Sequence, residues 1–216
     1  MEEPLDEVEA RVLGCLLEKE LATPEYYPLS LNALVNACNQ KSNREPVVSY
    51  DETTVIRALD RLKEKRLALQ SEASRVSKYE ENLITGSNLL DKEAALICLL
   101  LLRGPQTAGE LRGRAERLYK FNDIAEVEAK LDDLSDMGLV TRLARQPGRK
   151  ECRFMHLLCG EAQATPANRQ AEPPHPDPER QDDSNRLETL EQQVNQLQQE
   201  LQELKEAFLE FRKQLE

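Results

Sequence analysis

Residues Glu9-Ala10-Arg11-Val12-Leu13 decide the fold, because similar residues return at Glu93-Ala94-Ala95-Leu96-Ile97. The similarity continues at residues 30–34, Ser-Leu-Asn-Ala-Leu, which correspond to residues 107–111, Thr-Ala-Gly-Glu-Leu. A third block pairs Val55, Leu59, Asp60, Leu62 and Leu67 with Val127, Leu131, Asp132, Leu134 and Leu139. The offset shrinks from 84 to 77 to 72 residues, so one structural unit occurs twice and the first copy has longer loops.

The first copy contains three helical patterns followed by a β-hairpin. We predict helices over residues 6–21, from N-cap Ser30 to Cys38, and from the capping box Ser49-x-x-Glu52 to Lys65. The third helix is expected to bury Val55, Ile56, Leu59 and Leu62. Residues 39–46 are polar and predict an exposed loop, and residues 67–69 and 76–79 predict the strands of a hairpin. This order of elements is typical of a winged helix-turn-helix domain.

The second copy repeats this order. Residues 89–102 are apolar on nearly every side, which predicts a helix buried between the two copies. Thr107-x-x-Glu110 and Asp123-x-x-Glu126 are capping boxes, and the helix after Asp123 should bury Val127, Leu131, Leu134 and Met137. Strands are expected at residues 139–143 and 152–156. The fold class predicted is therefore mainly α with small β-hairpins, in tandem winged-helix domains at residues 1–85 and 86–160.

The last quarter of the chain has a different composition. Residues 161–185 are rich in Pro, Gln and charge, which predicts a disordered linker. Residues 186–216 predict a coiled-coil helix, because apolar residues there alternate spacings of three and four. They form one oligomerisation seam: Leu187, Leu190, Val194, Leu197, Leu201, Leu204, Phe208, Phe211 and Leu215. Parallel self-association into a dimer is favoured, and docking of this helix on its own chain is the alternative.

Composition restricts the class of protein. The N-terminus is acidic and lacks a secretory signal, and the longest apolar run, residues 94–102, is too short for a membrane span, so we expect a cytoplasmic protein. Five cysteines without a CxxC pair indicate reduced thiols. Cys152, His156 and Cys159 are the one metal-like grouping, and they are better explained as ordinary strand residues because no fourth ligand is evident. We expect neither a metal nor another cofactor.

Two strings of residues resemble a known family. They are Asn39-Gln40-Lys41-Ser42-Asn43-Arg44 with Pro46, and Leu102-Arg103-Gly104-Pro105-Gln106-Thr107 with Gly109-Glu110-Leu111-Arg112. Together with Arg57-Ala58-Leu59 and Arg75-Val76 they are similar to the YceH-like family of bacterial proteins, over about residues 4–160. The resemblance implies a tandem winged-helix fold. It implies no reaction, because none is assigned to the family.

Binding to double-stranded DNA is the first functional hypothesis. A winged helix offers its third helix to the major groove and its loops to the phosphates. The residues expected at that interface are Lys41, Asn43, Arg44, Thr53, Thr54, Arg57, Arg61, Arg145, Arg149 and Lys150. The net charge of −11 opposes DNA binding. Residues 1–85 carry −5, residues 86–160 carry +1 and residues 161–216 carry −7. Affinity would then depend on a local basic patch.

A protein-interaction scaffold is the alternative, with the same winged helices as docking surfaces for a protein partner. Fold alone does not separate the two functions. Catalysis is not expected, because the two histidines, His156 and His175, have no nucleophile at a known motif spacing and no Gly-rich phosphate loop occurs. The outward face of the second copy's third helix holds Glu126, Asp132, Asp133 and Asp136, so that helix should not approach phosphates.

Overall fold

The computed structural model describes residues 3–71, 76–145 and 151–160. The first repeat consists of α1 (Glu7–Ala22), β1 (Leu29–Ser30), α2 (Leu31–Cys38), α3 (Glu52–Glu64), β2 (Ala68–Ser71) and β3 (Lys78–Glu81). Its strands form an antiparallel sheet in the order β1-β3-β2, with Leu29 opposite Tyr79 and Ala68 opposite Glu81. The predicted three helices and hairpin are confirmed, and a short first strand is added to them.

Polar caps set the helix starts of this repeat. Ser30 Oγ accepts a hydrogen bond from Ala33 N at α2, as the sequence predicts, and Asp6 and Glu9 form a capping box at α1 that was not predicted. The predicted capping box at Ser49 is wrong. Asp51 caps α3 instead, and its carboxylate accepts a hydrogen bond from Thr54 N at 2.8 Å. Asp is as good an N-cap as Ser, so the residue nearer the apolar stripe takes the position.

The buried face of α3 follows helical periodicity more strictly than the sequence analysis assumed. Val55, Ala58, Leu59 and Leu62 are buried, but Ile56 is 39% exposed, so its predicted burial is wrong. Ile56 lies about 100° around the helix from Val55, outside the stripe that points to the core. Ala58, rather than Ile56, belongs to the buried face of α3.

The second repeat follows a short helix, α4 (Leu83–Ser87). It consists of α5 (Asp91–Arg103), α6 (Ala108–Ala115), α7 (Ile124–Asp136), β4 (Val140–Arg142) and β5 (Phe154–His156). A single antiparallel bridge joins Gln106 to Phe154, in the position that β1 has in the first repeat. The result is a mainly helical protein with small antiparallel sheets, as predicted.

The caps of the second repeat agree with most of its sequence pattern. Thr107 and Glu110 form the predicted capping box at α6. Asp123 caps α7 as predicted, but the Glu126 carboxylate accepts a hydrogen bond from Asn122 N rather than from the cap residue. Met137 is 45% exposed, because α7 ends at Asp136 and the chain turns away from the core, so its predicted burial is also wrong.

Helix α5 packs along α1 and joins the two repeats through one continuous core. Residues 93–102 are all buried, which confirms the predicted burial of this helix. Gly14 lets the helices approach closely, since a Cβ built there would lie 2.9 Å from Leu102 Cδ2 and 3.0 Å from Leu101 Cβ. Cys98 Sγ lies 3.5 Å from the Gly14 carbonyl oxygen, to which it donates a hydrogen bond.

The domain boundaries at residues 85 and 160 stay predictions. The predicted linker at residues 161–185, the coiled-coil helix at 186–216 and its whole seam from Leu187 to Leu215 lie outside the described residues. Among the described residues, no helix has the length and apolar character needed to cross a membrane.

Candidate nucleic-acid interface

The outward face of α3 is the first part of the predicted interface. Thr53 and Arg57 are exposed there, beside the exposed Ile56 and Asp60. Thr54 is only partly accessible, and the hydrogen bonds from its side chain and backbone lower the pKa of Asp51, with a smaller contribution from the Arg57 charge. Thr54 therefore completes the helix cap, whereas Thr53 and Arg57 point to solvent.

Arg61 does not contribute a free cation, although the sequence predicts that it does. Its Nη2 lies 2.5 Å from Asp6 Oδ2 and its Nε lies 3.0 Å from Glu9 Oε1. Lys65 Nζ lies 2.9 Å from the other oxygen of Glu9, a residue that is almost wholly buried. These ion pairs fasten the end of α3 to the start of α1, so Arg61 is better explained as a structural residue.

Arg57 is left as the unpaired cation of this helix. Lys63 Nζ pairs with Asp60 at 2.9 Å, and Arg61 is held as just described. In the part of the chain that the structure describes, Arg57 has no carboxylate within ion-pair distance. A solvated guanidinium beside the Thr53 hydroxyl can donate to phosphate or to a base edge.

The loop of residues 39–46 is anchored rather than freely exposed, and this overturns the prediction for Arg44. Arg44 is buried, and its Nη1 and Nη2 lie 3.1 and 2.6 Å from the two oxygens of Glu18. Its Nε donates to the Ala37 carbonyl at 3.1 Å. Burial alone would raise the pKa of Glu18, but the hydrogen bonds and charge of Arg44 outweigh it and keep this pKa low. Arg44 thus has no donor left for a phosphate.

Asn43 is also part of this anchor. It adopts a left-handed backbone conformation, with φ of 59°, and its Oδ1 accepts a hydrogen bond from Arg103 Nη2 at 2.8 Å. Two residues further on, Glu45 donates its backbone N–H to the Leu102 carbonyl at 2.9 Å. The two strings that carry the family resemblance therefore contact each other across the two repeats. Of the three loop residues predicted to contact DNA, Lys41 is exposed, Asn43 is half-buried and Arg44 is buried.

The second hairpin contributes one described residue to the predicted interface. Arg145 is exposed, whereas Arg149 and Lys150 lie outside the described residues. Arg142 is held over the Phe154 ring at 5.1 Å, and Arg153 Nη1 donates to the Pro105 carbonyl at 2.8 Å. Asp132, Asp133 and Asp136 of α7 are exposed as predicted, and Lys130 is paired with Glu93 and Asp133.

Two features of the surface were missed by the sequence analysis. Ile56 and Val47 are 39% and 56% exposed close to the predicted interface, and the strict periodicity of α3 was the signal that could have placed Ile56 outside the core. Arg114 and Arg117 at the end of α6 line a cleft between the two repeats. The spacing of those arginines was visible in the sequence, but only the fold brings them next to the first repeat.

Cys152, His156 and Cys159 do not form a metal centre with other residues that the structure describes. His156 is buried, and its Nδ1 has no hydrogen-bond partner among the described residues. Burial lowers the pKa of His156 to about 4, so the imidazole is neutral near pH 7. Cys15, Cys38 and Cys98 are buried free thiols, and Cys152 and Cys159 are partly buried ones.

Comparison with known proteins places the chain in a family. Residues 5–149 match the family described as "Protein of unknown function, DUF480". The "UPF0502 protein" of Pelobacter propionicus is 53% identical over 219 aligned residues that cover all of both chains, and that of Geobacter sulfurreducens is 50% identical over the same span. A relative from Koribacter versatilis is 58% identical over 152 residues, 69% of this chain and 71% of its own. The family resemblance predicted from the residue strings is confirmed, since these relatives are bacterial proteins, and the chain belongs to the DUF480 family.

Proposed function

We propose that both repeats are winged helices and that the chain is a cytoplasmic, non-enzymatic DNA-binding protein. The order helix, strand, helix, helix and hairpin of the first repeat, with the first strand paired to the third, is the arrangement that this fold requires. In such a fold α3 is the recognition helix, and the hairpin to which β2 and β3 belong is the wing. The second repeat has the same order, with a single bridge in place of its first strand.

Arg57 carries this proposal. Among the described residues, Arg61 and Lys63 of α3 are paired with carboxylates and Arg57 is not. Arg57 lies one turn after Thr53 on the outward face. Lys41 and Arg145 are the further exposed cations that we assign to phosphate contacts. Arg61, Arg44 and Asn43 are withdrawn from the interface, because each is used inside the protein.

The charge of the chain sets the expected strength of binding. Residues 1–85 carry a net charge of −5, so long-range attraction to DNA is absent and a few local contacts must supply the affinity. Each phosphate contact contributes about one unit to the slope of log affinity against log salt. We therefore expect weak binding to random duplex DNA with a shallow slope of about −2 to −3.

The test measures affinity for a random duplex at several salt concentrations, for the whole chain and for two single variants. Arg57→Ala is expected to weaken binding about tenfold and to reduce the salt slope by about one. Lys120→Ala is the matched control, since it removes one exposed cation from the second repeat at a distance from α3. Equal losses in both variants, or no binding by the parent chain at low salt, would show that α3 is not a DNA-binding surface.

Dimerisation through the residues from Leu187 to Leu215 is part of the same proposal. An apolar seam of this length would otherwise stay in contact with water, and each buried seam residue contributes about 1.5–3 kcal/mol. Two joined chains would bring two copies of the Arg57 surface to neighbouring half-sites. Light scattering on the full chain and on a chain that ends at Gln163 tests this step. The full chain is expected to be a dimer and the shortened chain a monomer, and equal protomer numbers would refute dimerisation through this seam.

A protein-docking surface is the second candidate function, and Ile56 is the observation that favours it. An exposed isoleucine between Thr53 and Asp60 is unfavourable near a phosphate backbone but suits an apolar contact with a protein partner. Ile56→Ser separates the two functions. If α3 binds DNA, this variant should leave the salt dependence of DNA affinity unchanged. If α3 binds a protein, the variant should lose a co-purifying partner while its DNA affinity stays the same.

A further inference from the structure

A cavity of about 310 Å³ opens where the two repeats meet, and neither proposed function uses it. Glu18 and Ala22 of α1 line one side, and Asn43 lines the edge. Gly113, Arg114 and Arg117, at the end of α6 and in the turn after it, line the other side. Both repeats are therefore needed to form it. We call it the junction cavity.

The charges around the junction cavity favour an anion. Arg114 and Arg117 line it, and Arg103 lies at its edge through the hydrogen bond to Asn43. The lining carboxylate of Glu18 is neutralised by Arg44, and Glu116 is the remaining carboxylate in the lining. Burial first, and then the charge of Arg114, lower the pKa of Arg103, which indicates that cations are crowded together here.

The rest of the lining is apolar and open. Leu99, Leu102 and Leu118 form part of the wall. Gly113 leaves the backbone of α6 bare on this side, since a Cβ built there would meet no atom within 4 Å. The volume lies at the lower end of the range for small-molecule sites. A ligand with a small apolar body and one strongly charged end fits this wall.

We propose that the junction cavity binds a small organic phosphate monoester. The phosphate would lie between Arg114 and Arg117, because guanidinium groups bind phosphate oxygens through paired, charge-assisted hydrogen bonds. Arg114 Nη1 donates to Gln106 Oε1 at 2.6 Å, which leaves its Nη2 and Nε for the phosphate. The apolar body would lie against the leucines and the bare backbone at Gly113. Such a ligand would contact both repeats at once and would stabilise their junction.

Phenyl phosphate is a suitable probe, because it joins a dianionic phosphate to a small apolar ring. Its binding to the full chain is followed by amide NMR shifts at Leu99, Gly113 and Leu118, and benzyl alcohol serves as the uncharged comparison. We expect saturable binding with a dissociation constant of about 1 mM or below. Arg117→Gln should weaken it about tenfold, since that side chain lines the cavity and has no hydrogen bond with other described residues that its loss would break.

Lys120→Gln is the matched control, because Lys120 is also an exposed cation but does not line the junction cavity. Thermal unfolding without ligand checks that both variants are folded like the parent chain. Three results would overturn the proposal: no saturable shift at the three amides, equal weakening in the two variants, or benzyl alcohol binding as tightly as phenyl phosphate.

Discussion

Gly14 offers the sharpest test of how the two repeats are joined. In Gly14→Ala, α1 by itself gains about 1 kcal/mol, because alanine is the better helix former. The new Cβ, however, would lie 2.9 Å from Leu102 Cδ2 and 3.0 Å from Leu101 Cβ. A leucine methyl group can rotate away, but Leu101 Cβ is fixed to the backbone of α5. The helices must then separate.

Overpacking of a well-packed core costs about 1–3 kcal/mol, and here the cost belongs at the upper end because one contact is with a fixed atom. Subtracting the gain in helix propensity leaves a net loss of about 1–2 kcal/mol in the free energy of unfolding. In a folded unit of this size the melting temperature should fall by about 2–8 °C.

Gly113→Ala is the matched control, since it makes the same change inside α6, where a Cβ would meet no atom within 4 Å. It should stabilise the protein by about 0.5–1 kcal/mol. Urea unfolding of the full chain gives the free energy of unfolding of each variant, and the values can be compared if the slopes against urea concentration are equal. If Gly14→Ala proves at least as stable as the parent chain, close approach of α1 and α5 is not what joins the repeats.

Two further predictions concern buried charge. Arg44→Met should lower the free energy of unfolding by about 3 kcal/mol, because it leaves the mostly buried Glu18 carboxylate with the longer ion pair to Lys19, at 3.5 Å, and Glu18→Gln in the same chain should recover part of this loss in urea unfolding. Since the folded-state pKa of Glu18 is lowered, its stabilisation should be present above pH 4.5 and be lost as the pH falls through the lower folded value. His156 should change stability in the same direction, because burial disfavours its charged form and the folded chain resists protonation. Between pH 6.5 and about 4 the unfolded chain binds a proton that the folded chain does not, so stability should fall by up to about 3 kcal/mol on acidification. That dependence should be much weaker in His156→Gln, and an unchanged pH profile would show that His156 is not the group responsible.

The repeat in the sequence predicts most of this fold, because apolar spacing and capping residues act locally. The errors occur where local rules allow two answers. Ser49 and Asp51 are both acceptable caps, and only the position of the chain before α3 selects Asp51. Ile56 is apolar enough for the core, but it lies outside the buried stripe of α3, which Val55, Ala58, Leu59 and Leu62 form.

The candidate site was harder to predict, because a cation in a sequence does not reveal its partner. Arg57 and Arg61 are one turn apart on α3 and look alike in the sequence. The carboxylates that hold Arg61 come from Asp6 and Glu9, more than 50 positions away along the chain. Arg44 is similar, since it lies in a loop and its partner Glu18 lies on α1, 26 positions earlier. Long-range ion pairs of this kind follow from the tertiary structure and leave no local pattern.

The two residue strings that carry the family resemblance lie at the joint between the repeats. The string at residues 39–44 holds Arg44 and Asn43, whose bonds reach Glu18 and Arg103, and the string at residues 102–107 holds Arg103 itself. Gln106 of the second string is buried and donates to the Leu99 carbonyl at 2.9 Å. Both strings therefore build the joint between the repeats, and a relative that retains them retains the joint. Arg57 and Arg117, on which the two binding proposals depend, make no such bonds among the described residues, so their roles must be tested by binding rather than inferred from the shared fold.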